Sequence, residues 1–371
     1  MKMKRILKWT IRLLLLAVFI AFIWGFIAYW RSNNDCNRNS ATPSNPMKAI
    51  VNCEYGIENL QLRELEKPTP NDNEVLVRVR AASINPVDGH LIRGAWPMRP
   101  MTGLRKPKST RFGTDVAGTV EAVGKNVTDF KPGDEVFGAK NGAVAEYVCV
   151  KADKAVVLKP ANVTFEQAGS VAVAGLTALQ GLRDKGHIQA GQKVLINGAS
   201  GGVGTFAVQI AKASGAEVTG VCSTRNVDLV RSIGADHVID YTKEDFTTRP
   251  ERYDLIFDLV GNHSLAERKQ VLTPNGICVL GGVGGAGLHP GSWGRMLGNF
   301  KSAFLSKFGN QQFVFYIAKL TKDDLTVLRD LMQSGKVAPV IDRTYKLSET
   351  QAAVRYLEEG HARGKVVITI E

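Results

Sequence analysis

Three glycines recur at three-residue spacing in the stretch KVLINGASGGVG, which runs from Lys193 to Gly204. The apolar run at its start is typical of a strand buried in a parallel sheet, and the residues that follow have the pattern of a helix. Glycine lets the backbone turn tightly and approach a pyrophosphate, and a helix N-terminus offers free N–H groups to the same anion. Because the spacing is GxxGxxG rather than GxGxxG, a plain glycine turn remains the alternative. The residues predicted to contact a dinucleotide here are Ser200, Gly201, Gly202 and Val203.

The side chains after the next predicted strand indicate which dinucleotide would bind. An NAD-selective site carries an acid near this point, which accepts hydrogen bonds from the ribose 2′-hydroxyl. Here no acid occurs before Asp228, whereas Ser223 and Arg225 would offer a hydroxyl and a guanidinium to a 2′-phosphate. NADP is therefore predicted in preference to NAD, with a solvated Arg225 at a helix start as the alternative. Tyr241 is a candidate to stack on the adenine, although packing alone is an equally frequent role, and Gly281 lies at the predicted ligand-binding edge of the sheet.

The elements that must position these residues are of two kinds. Strands and helices alternate from Lys193 to Gly282, which predicts a doubly wound nucleotide-binding domain. Before it, from Gly113 to Val150, short β-type runs broken by turn signals predict a compact antiparallel barrel. The predicted parallel strands are 193–197, 217–222, 237–240, 253–258 and 276–281, and a last strand at 366–370 is expected to return to the first domain.

The N-terminal region has the features of a membrane anchor. An uninterrupted apolar run from Leu13 to Trp30 is long enough to cross a bilayer as a helix, and its end lacks the small-residue site of a cleaved signal peptide. A polar tether follows, from Ser32 to Pro46. The basic residues before the run would keep the N-terminus cytoplasmic and place the domain across the membrane. The supply of reduced cofactor instead favours the cytoplasmic face, which we prefer on that ground.

The overall composition argues against two other classes of protein. The net charge of +12 includes six basic residues in the first 31 positions, where no acid occurs, so the remainder does not indicate a nucleic-acid-binding protein. The hydrophobic fraction of 44% is that of an ordinary globular protein. The five cysteines are scattered and form no CxxC pair, so neither a disulfide framework nor a zinc ribbon is predicted.

Five ordered motifs give the chain a close resemblance to a known family. They are AASINPVD (81–88), GTDVAG (113–118), KPGDEVFG (131–138), NGASGGVG (197–204) and GADHVID (234–240). With these motifs the chain resembles the medium-chain dehydrogenase/reductase superfamily, and within it the zinc-independent quinone oxidoreductase (zeta-crystallin-like) branch. The resemblance implies an α/β fold with a GroES-like β-barrel substrate domain and a doubly wound Rossmann domain, and it implies a homodimer. The expected organisation is a basic N-terminus and transmembrane anchor (1–31), a polar linker (32–46), the substrate domain (47–165), the NADP-binding domain (166–320) and a return to the substrate domain (321–371).

The sequence departs from the zinc alcohol dehydrogenases of this superfamily at the positions that carry their metal. Asn85 stands where those enzymes are expected to have a cysteine ligand, and Thr114 stands where they have the histidine of Gly-His-Glu. His90 and Cys149 alone do not rebuild a tetrahedral site. No metal is therefore predicted.

The absence of these ligands directs the chemistry towards activated C=C bonds. Without a Lewis acid, alcohol oxidation lacks its usual means of stabilising the alkoxide. In the reduction of an enone, hydride adds to the β-carbon, and hydrogen-bond donors can stabilise the charge that moves to the carbonyl oxygen. Asn85 is the candidate donor and His90 the candidate donor or acid, with a turn residue and a surface histidine as the respective alternatives. The resemblance places Thr177 beside the nicotinamide, and a threonine that only packs inside a helix is its alternative.

The sequence therefore predicts an NADPH-dependent, zinc-free reductase of quinones or α,β-unsaturated carbonyls that acts on a small lipophilic substrate. A zinc-free alcohol or aldehyde reductase that uses His90, and an idle NADP-binding scaffold protein, remain as alternatives. Aromatic residues recur at three- or four-residue spacing from Trp293 to Phe308, which predicts a helix with an aromatic face and a basic side. Packing over the cleft or a dimer contact is favoured for this helix over a membrane-facing lip.

Overall fold

The computed structural model describes residues 42–95, 99–281 and 310–371, together with Trp9, Ile20, residues 23–27 and Cys36. Most of the predicted anchor at 13–30 and all of the predicted aromatic helix at 293–308 lie outside the described residues. Within the residues that are described, none of the helices has the length and apolar character that a bilayer span requires.

The strands of the substrate-side part of the molecule are β1 (Pro46–Asn52), β2 (Leu60–Glu66), β3 (Glu74–Ile84), β4 (Asp115–Val123), β5 (Glu135–Ala139), β6 (Tyr147–Lys151), β7 (Val156–Leu158), β14 (Ile341–Lys346) and β15 (Lys365–Thr369). Its main sheet is organised around the longest of them, β3. Along one edge, β3 pairs antiparallel with β4; along the other, its first half pairs with β6 and its second half with β15. The order along the main path is β14-β15-β3-β4-β5-β7, and β1 and β2 form a separate antiparallel pair.

A six-stranded parallel sheet forms the nucleotide-binding part. Its order is β10-β9-β8-β11-β12-β13, so the direction of strand succession reverses beside β8, as in doubly wound folds. Four of the predicted strands have the observed bounds, whereas β12 begins four residues earlier than predicted, at Leu272. The strands are β8 (Lys193–Asn197), β9 (Glu217–Cys222), β10 (His237–Asp240), β11 (Tyr253–Asp258), β12 (Leu272–Leu280) and β13 (Gln312–Phe315).

One buried helix, α4, joins the two parts. Its apolar side chains belong to a single buried cluster that also contains Phe137 of β5 and Phe257 of β11. The α-helices described after residue 41 are α1 (Pro86–Arg93), α2 (Arg99–Thr102), α3 (Phe165–Ala168), α4 (Ala172–Gln180), α5 (Gly202–Ala213), α6 (Val227–Ser232), α7 (Leu265–Gln270), α8 (Lys322–Gln333) and α9 (Thr350–Glu358). The domain boundaries at 165/166 and 320/321 stay predictions.

One disulfide corrects the prediction made from the cysteines. Cys36 of the tether is bonded to Cys53 just after β1, with the two Cα atoms 5.8 Å apart. The residues are 17 positions apart and form no recognised cysteine pattern. Disulfide pairing depends on how the chain brings two Cβ atoms together, which the spacing alone does not reveal.

Candidate active site

The glycine-rich turn leaves β8 and opens directly into α5. Gly198 has a φ of +89°, a conformation that residues with a Cβ rarely adopt. A Cβ on Gly204 would lie 2.1 Å from the carbonyl oxygen of Gly198, so only glycine lets the helix sit this close to the turn. Gly201, the residue before the helix, would meet no atom nearer than 3.5 Å. The predicted contact residues Ser200, Gly201, Gly202 and Val203 therefore surround a helix N-terminus that a pyrophosphate can approach.

A buried asparagine connects this turn with the predicted 2′-phosphate residues. Asn226, which is 5% exposed, donates through Nδ2 to Ser200 Oγ at 3.0 Å and to Ser223 Oγ at 3.1 Å. The two predicted serines thus belong to one hydrogen-bonded group. Asn226 was not predicted as a site residue, although it immediately follows Arg225 and is the N-cap residue of α6.

The other predicted adenosine-side residues lie at the surface. Arg225 is exposed and its Nη2 donates to the carbonyl oxygen of His361. Tyr241 follows β10 and is 61% exposed. Beside them, Asp240 accepts hydrogen bonds from the hydroxyls of Thr224 and Thr242, and these donors, Thr224 first, lower the pKa of its carboxyl. Asp240 is therefore an acid close to the predicted 2′-phosphate site. It lies at the end of β10, whereas the sequence prediction considered only the residues that follow β9.

The structure places Thr177 inside α4 and Gly281 directly after β12. Thr177 Oγ1 donates to the Val173 carbonyl at 2.7 Å within α4, so its hydroxyl hydrogen is used by its own helix. A Cβ on Gly281 would lie 2.5 Å from Cε2 of Phe257, so this glycine packs tightly against an aromatic ring.

The register of three neighbouring strands builds a polar cluster next to Asn85. Ser83 near the end of β3 lies opposite Asp115 at the start of β4. The antiparallel register of β15 on the other edge of β3 brings Lys365, the first residue of β15, next to Asn85. Since alternate side chains of a strand share a face, all four side chains meet on one side of the sheet.

The contacts within this cluster fix the orientation of the Asn85 amide. Lys365 Nζ donates to Asn85 Oδ1 at 2.6 Å and to Asp115 Oδ2 at 3.0 Å, and Asn85 Nδ2 donates to Asp115 Oδ2 at 3.0 Å. An ammonium group can only donate, so the amide oxygen must face Lys365. Asp115 also accepts from Ser83 Oγ at 2.6 Å and from the Val173 backbone N–H in the first turn of α4 at 2.7 Å. The buried carboxylate is thereby satisfied by four donors.

Two polar residues of α1, Asp88 and His90, are also buried. Asp88 Oδ2 accepts from the Asn85 backbone N–H at 2.7 Å, which closes the first turn of the helix. Burial raises the pKa of Asp88 to about 7, although the Asn85 N–H opposes this shift. His90 is only 6% exposed, so its alternative interpretation as a surface histidine was wrong.

The same cluster also touches the glycine-rich turn. Gly201 and Gly364 form a parallel β-bridge, and a Cβ on Gly202 would lie 3.0 Å from Cδ of Lys365. The stem of Lys365 therefore passes beside the predicted pyrophosphate site while its ammonium group reaches Asn85.

Comparisons with known proteins agree over nearly the whole described chain. A family model described as "Alcohol dehydrogenase GroES-like domain" matches residues 71–161, and one described as "Zinc-binding dehydrogenase" matches residues 233–368. NAD(P)H oxidoreductase RTN4IP1, mitochondrial, of Homo sapiens is 34% identical over 93% of this chain and 96% of its own length. The chloroplastic NADPH-dependent alkenal/one oxidoreductase of Arabidopsis thaliana is 35% identical over 87% of this chain and 79% of its own. The solved structure of the quinone oxidoreductase from Coxiella burnetii has a TM-score of 0.77 at 30% identity and covers 88% of this chain and 100% of that one.

The chain belongs to the medium-chain dehydrogenase/reductase superfamily. It fits the zinc-independent quinone oxidoreductase branch, and it is an NAD(P)H-dependent oxidoreductase of the quinone or enone reductase type. The predicted GroES-like and Rossmann folds are confirmed.

One of the matching family models is named for zinc binding, but this chain carries other residues at metal positions of the superfamily. Asn85, at a position that carries a ligand in the zinc enzymes, has its amide bonded to Lys365 and Asp115. Across residues 42–95, 99–281 and 310–371, no group of three or more His, Cys, Asp or Glu side chains is placed to hold a metal ion.

Lys365, which bonds to both Asn85 and Asp115, was not predicted as a site residue. The last strand was predicted to begin at Val366, so Lys365 was left one position outside it. A lysine directly before a run of four apolar or β-branched strand residues is a usable signal, because it must either turn to solvent or find a buried acid. The acid was present in the quoted GTDVAG motif as Asp115.

Proposed function

We propose that this protein uses NADPH to reduce quinones or α,β-unsaturated carbonyl compounds without a metal. The observation that carries the proposal is the Lys365 side chain, which touches both the glycine-rich turn and Asn85. A cofactor held at the turn and a donor amide at Asn85 would then lie on either side of one buried lysine.

The glycine-rich turn fits a dinucleotide because the missing Cβ at Gly204 lets α5 pack close to the turn, and because a Cβ at Gly201 would meet no atom nearer than 3.5 Å. Ser200, Gly201, Gly202 and Val203 would hold the pyrophosphate, and Thr177 and Gly281 would border the nicotinamide. Ser223 and Arg225 would bind the 2′-phosphate, and Tyr241 would cover the adenine. When bound, NADPH supplies the hydride.

Asn85 is the proposed donor to the substrate oxygen. Its oxygen is held by Lys365 and one of its two amide hydrogens is taken by Asp115. The second amide hydrogen can donate to the carbonyl oxygen as negative charge develops there. His90, five positions further along the chain, is the proposed source of the final proton, and water is the other source.

Paired substrates test the proposal and separate it from its alternatives. The purified full chain is given NADPH and a panel of quinones, enones, the matching saturated ketones, and aldehydes. The proposal predicts NADPH oxidation with enones or quinones and none with the saturated ketones. Oxidation with C=O compounds alone would favour an alcohol or aldehyde reductase. Cofactor binding without oxidation by any compound would favour an idle scaffold protein.

The anchor, the lipophilic substrate and the homodimer belong to this proposal as well. The apolar run from Leu13 to Trp30 would hold the enzyme at a membrane, where lipophilic quinones and enones partition. The basic N-terminus favours a domain on the side of the membrane away from the cytoplasm, and the Cys36–Cys53 disulfide favours the same side, because disulfides persist in oxidising compartments. The supply of reduced cofactor instead favours the cytoplasmic face. Thiol labelling of intact and opened membranes distinguishes the two sides. Sedimentation of the detergent-solubilised chain tests the homodimer.

A further inference from the structure

We propose that Lys365 is a positioning residue that fixes the Asn85 amide for the substrate and ties it to the cofactor turn. The inference deepens the proposed function and rests on it. It assigns to Lys365 no contact with the reacting atoms, so its effect must pass through Asn85.

The ammonium of Lys365 determines which way the Asn85 amide points. An asparagine side chain can rotate by half a turn and exchange its oxygen and nitrogen with little change in shape. At Asn85 this exchange would aim an NH₂ group at the Lys365 ammonium, which has no acceptor. It would also aim the amide oxygen at the Asp115 carboxylate, which now accepts from Nδ2 at 3.0 Å. Lys365 and Asp115 together therefore allow one orientation.

In that orientation, one amide hydrogen is left for a ligand. Nδ2 carries two hydrogens, and its one acceptor within the described part of the chain is Asp115. If the amide turned over, its oxygen would face a substrate oxygen in place of a donor. The ammonium, together with the Asp115 carboxylate, thus determines whether Asn85 stabilises or repels the developing charge.

The stem of Lys365 adds a second constraint. A Cβ at Gly202 would lie 3.0 Å from Lys365 Cδ, and the preceding Gly364 forms a β-bridge with Gly201. Movement of the first residue of β15 would therefore shift the glycine-rich turn and the Asn85 amide together. Lys365 is 3% exposed and Asp115 is fully buried, so water does not loosen this connection.

The closing experiment is a double-mutant cycle with a conservative control. Lys365→Met keeps most of the stem and removes the ammonium, and Lys365→Arg keeps a cation. We expect Lys365→Met to lower kcat about 10- to 100-fold, as for a misplaced catalytic group, while the KM for NADPH changes by less than about threefold. Lys365→Arg should retain more activity than Lys365→Met. In the Asn85→Ala background, Lys365→Met should lower kcat by no more than about twofold further, because the group it positions is gone.

Two results of this double-mutant cycle would overturn the inference. One is a Lys365→Met enzyme with the wild-type kcat. The other is a double variant in which the two losses multiply, since that would place the effect of Lys365 outside Asn85. Lys365→Met removes the cation that pairs with the buried Asp115 carboxylate, and the variant could fail to fold for that reason. In that case the kcat of the charge-balanced double variant Asp115→Asn/Lys365→Met is compared with the kcat of Asp115→Asn. Equal kcat in that pair would also overturn it.

A spectroscopic measurement keeps this inference separate from the proposed function. In protein labelled with [¹⁵N]asparagine, the side-chain signal of Asn85 is identified by its loss in Asn85→Ala. It should move in Lys365→Met and remain near its place in Lys365→Arg. An unmoved signal in Lys365→Met would overturn the role of Lys365 even if no substrate were turned over. A wild-type enzyme that oxidises no NADPH would contradict only the proposed function.

Discussion

The Asn85 cluster and the loops that follow β9 and β10 are both predicted to contact the reactants. They differ in how deeply their side chains are buried and in how many hydrogen bonds hold them in place. Asn85 and Lys365 are each 3% exposed and their polar atoms bond to one another and to Asp115. Arg225 is exposed and Tyr241 is 61% exposed. A buried, fixed donor suits stabilisation of charge during the reaction, whereas an exposed guanidinium suits recognition of a phosphate that arrives from water. Changes in the first region should therefore alter turnover, and changes in the second should alter cofactor choice.

The largest effect is expected from Asn85→Ala. Loss of the proposed oxygen donor should lower kcat about 100- to 1,000-fold, while the KM for NADPH stays within about threefold of the wild-type value. Steady-state kinetics with an enone and with NADPH measure both constants. Thermal unfolding of the variant serves as the control for folding. If turnover were unchanged, Asn85 would have no part in the mechanism and the contrast between the two regions would disappear.

A smaller and more selective effect is expected from Arg225→Ala. A charged hydrogen bond to the 2′-phosphate would be lost, so the KM for NADPH should rise about 10- to 100-fold while that for NADH stays unchanged. Arg231→Ala is the matched control, because Arg231 is an exposed arginine on α6 that pairs with Asp228. Equal losses with NADPH and NADH would show that Arg225 only ties the loop to the His361 carbonyl.

In the buried region, the carboxyl of Asp88 should make the stability of the protein depend on pH. The pKa of Asp88 is raised from 3.8 to about 7 by burial, so the folded protein keeps a proton there that the unfolded chain releases. The stabilisation is therefore present at low pH and is lost as the pH rises towards 7. Between pH 5 and pH 7 the wild type should lose about 2 kcal/mol of unfolding free energy relative to Asp88→Asn.

Urea unfolding of both proteins at several pH values measures this difference. The substituted asparagine side chain keeps an oxygen that can accept from the Asn85 N–H, so the comparison mainly reports the charge. A wild-type-to-variant difference that is constant over this pH range would show that Asp88 titrates as an ordinary exposed carboxyl.

Much of the fold could be predicted because the sequence patterns are local. The β8 run and its glycines identify a strand, a turn and a helix whose residues are consecutive. The bounds of the strand agree with the structure, whereas the helix, predicted to follow the last glycine, already begins at Gly202. The start of β12 was misplaced because Leu272-Thr-Pro-Asn-Gly has the composition of a turn, although its first residue pairs with Tyr253 before the register shifts.

The connections within the site could not be predicted, because they join residues far apart in the chain. Lys365 lies 280 positions from Asn85 and 250 from Asp115, and only the pairing of β15 with β3 brings them together. Asn226 was missed for a related reason, since its partner Ser200 belongs to a different strand–helix unit. The disulfide between Cys36 and Cys53 likewise depends on the placement of two residues that lie 17 positions apart.

Transfer of deuterium from [4-²H]NADPH to an enone tests the central claim most directly. The reaction is run in ordinary water with the deuterium on the transferred face of the cofactor, and the product is analysed by NMR. We expect one deuterium on the β-carbon of a saturated ketone and a solvent hydrogen on the α-carbon. Deuterium on the carbonyl carbon of an alcohol, or a product without deuterium, would contradict the account.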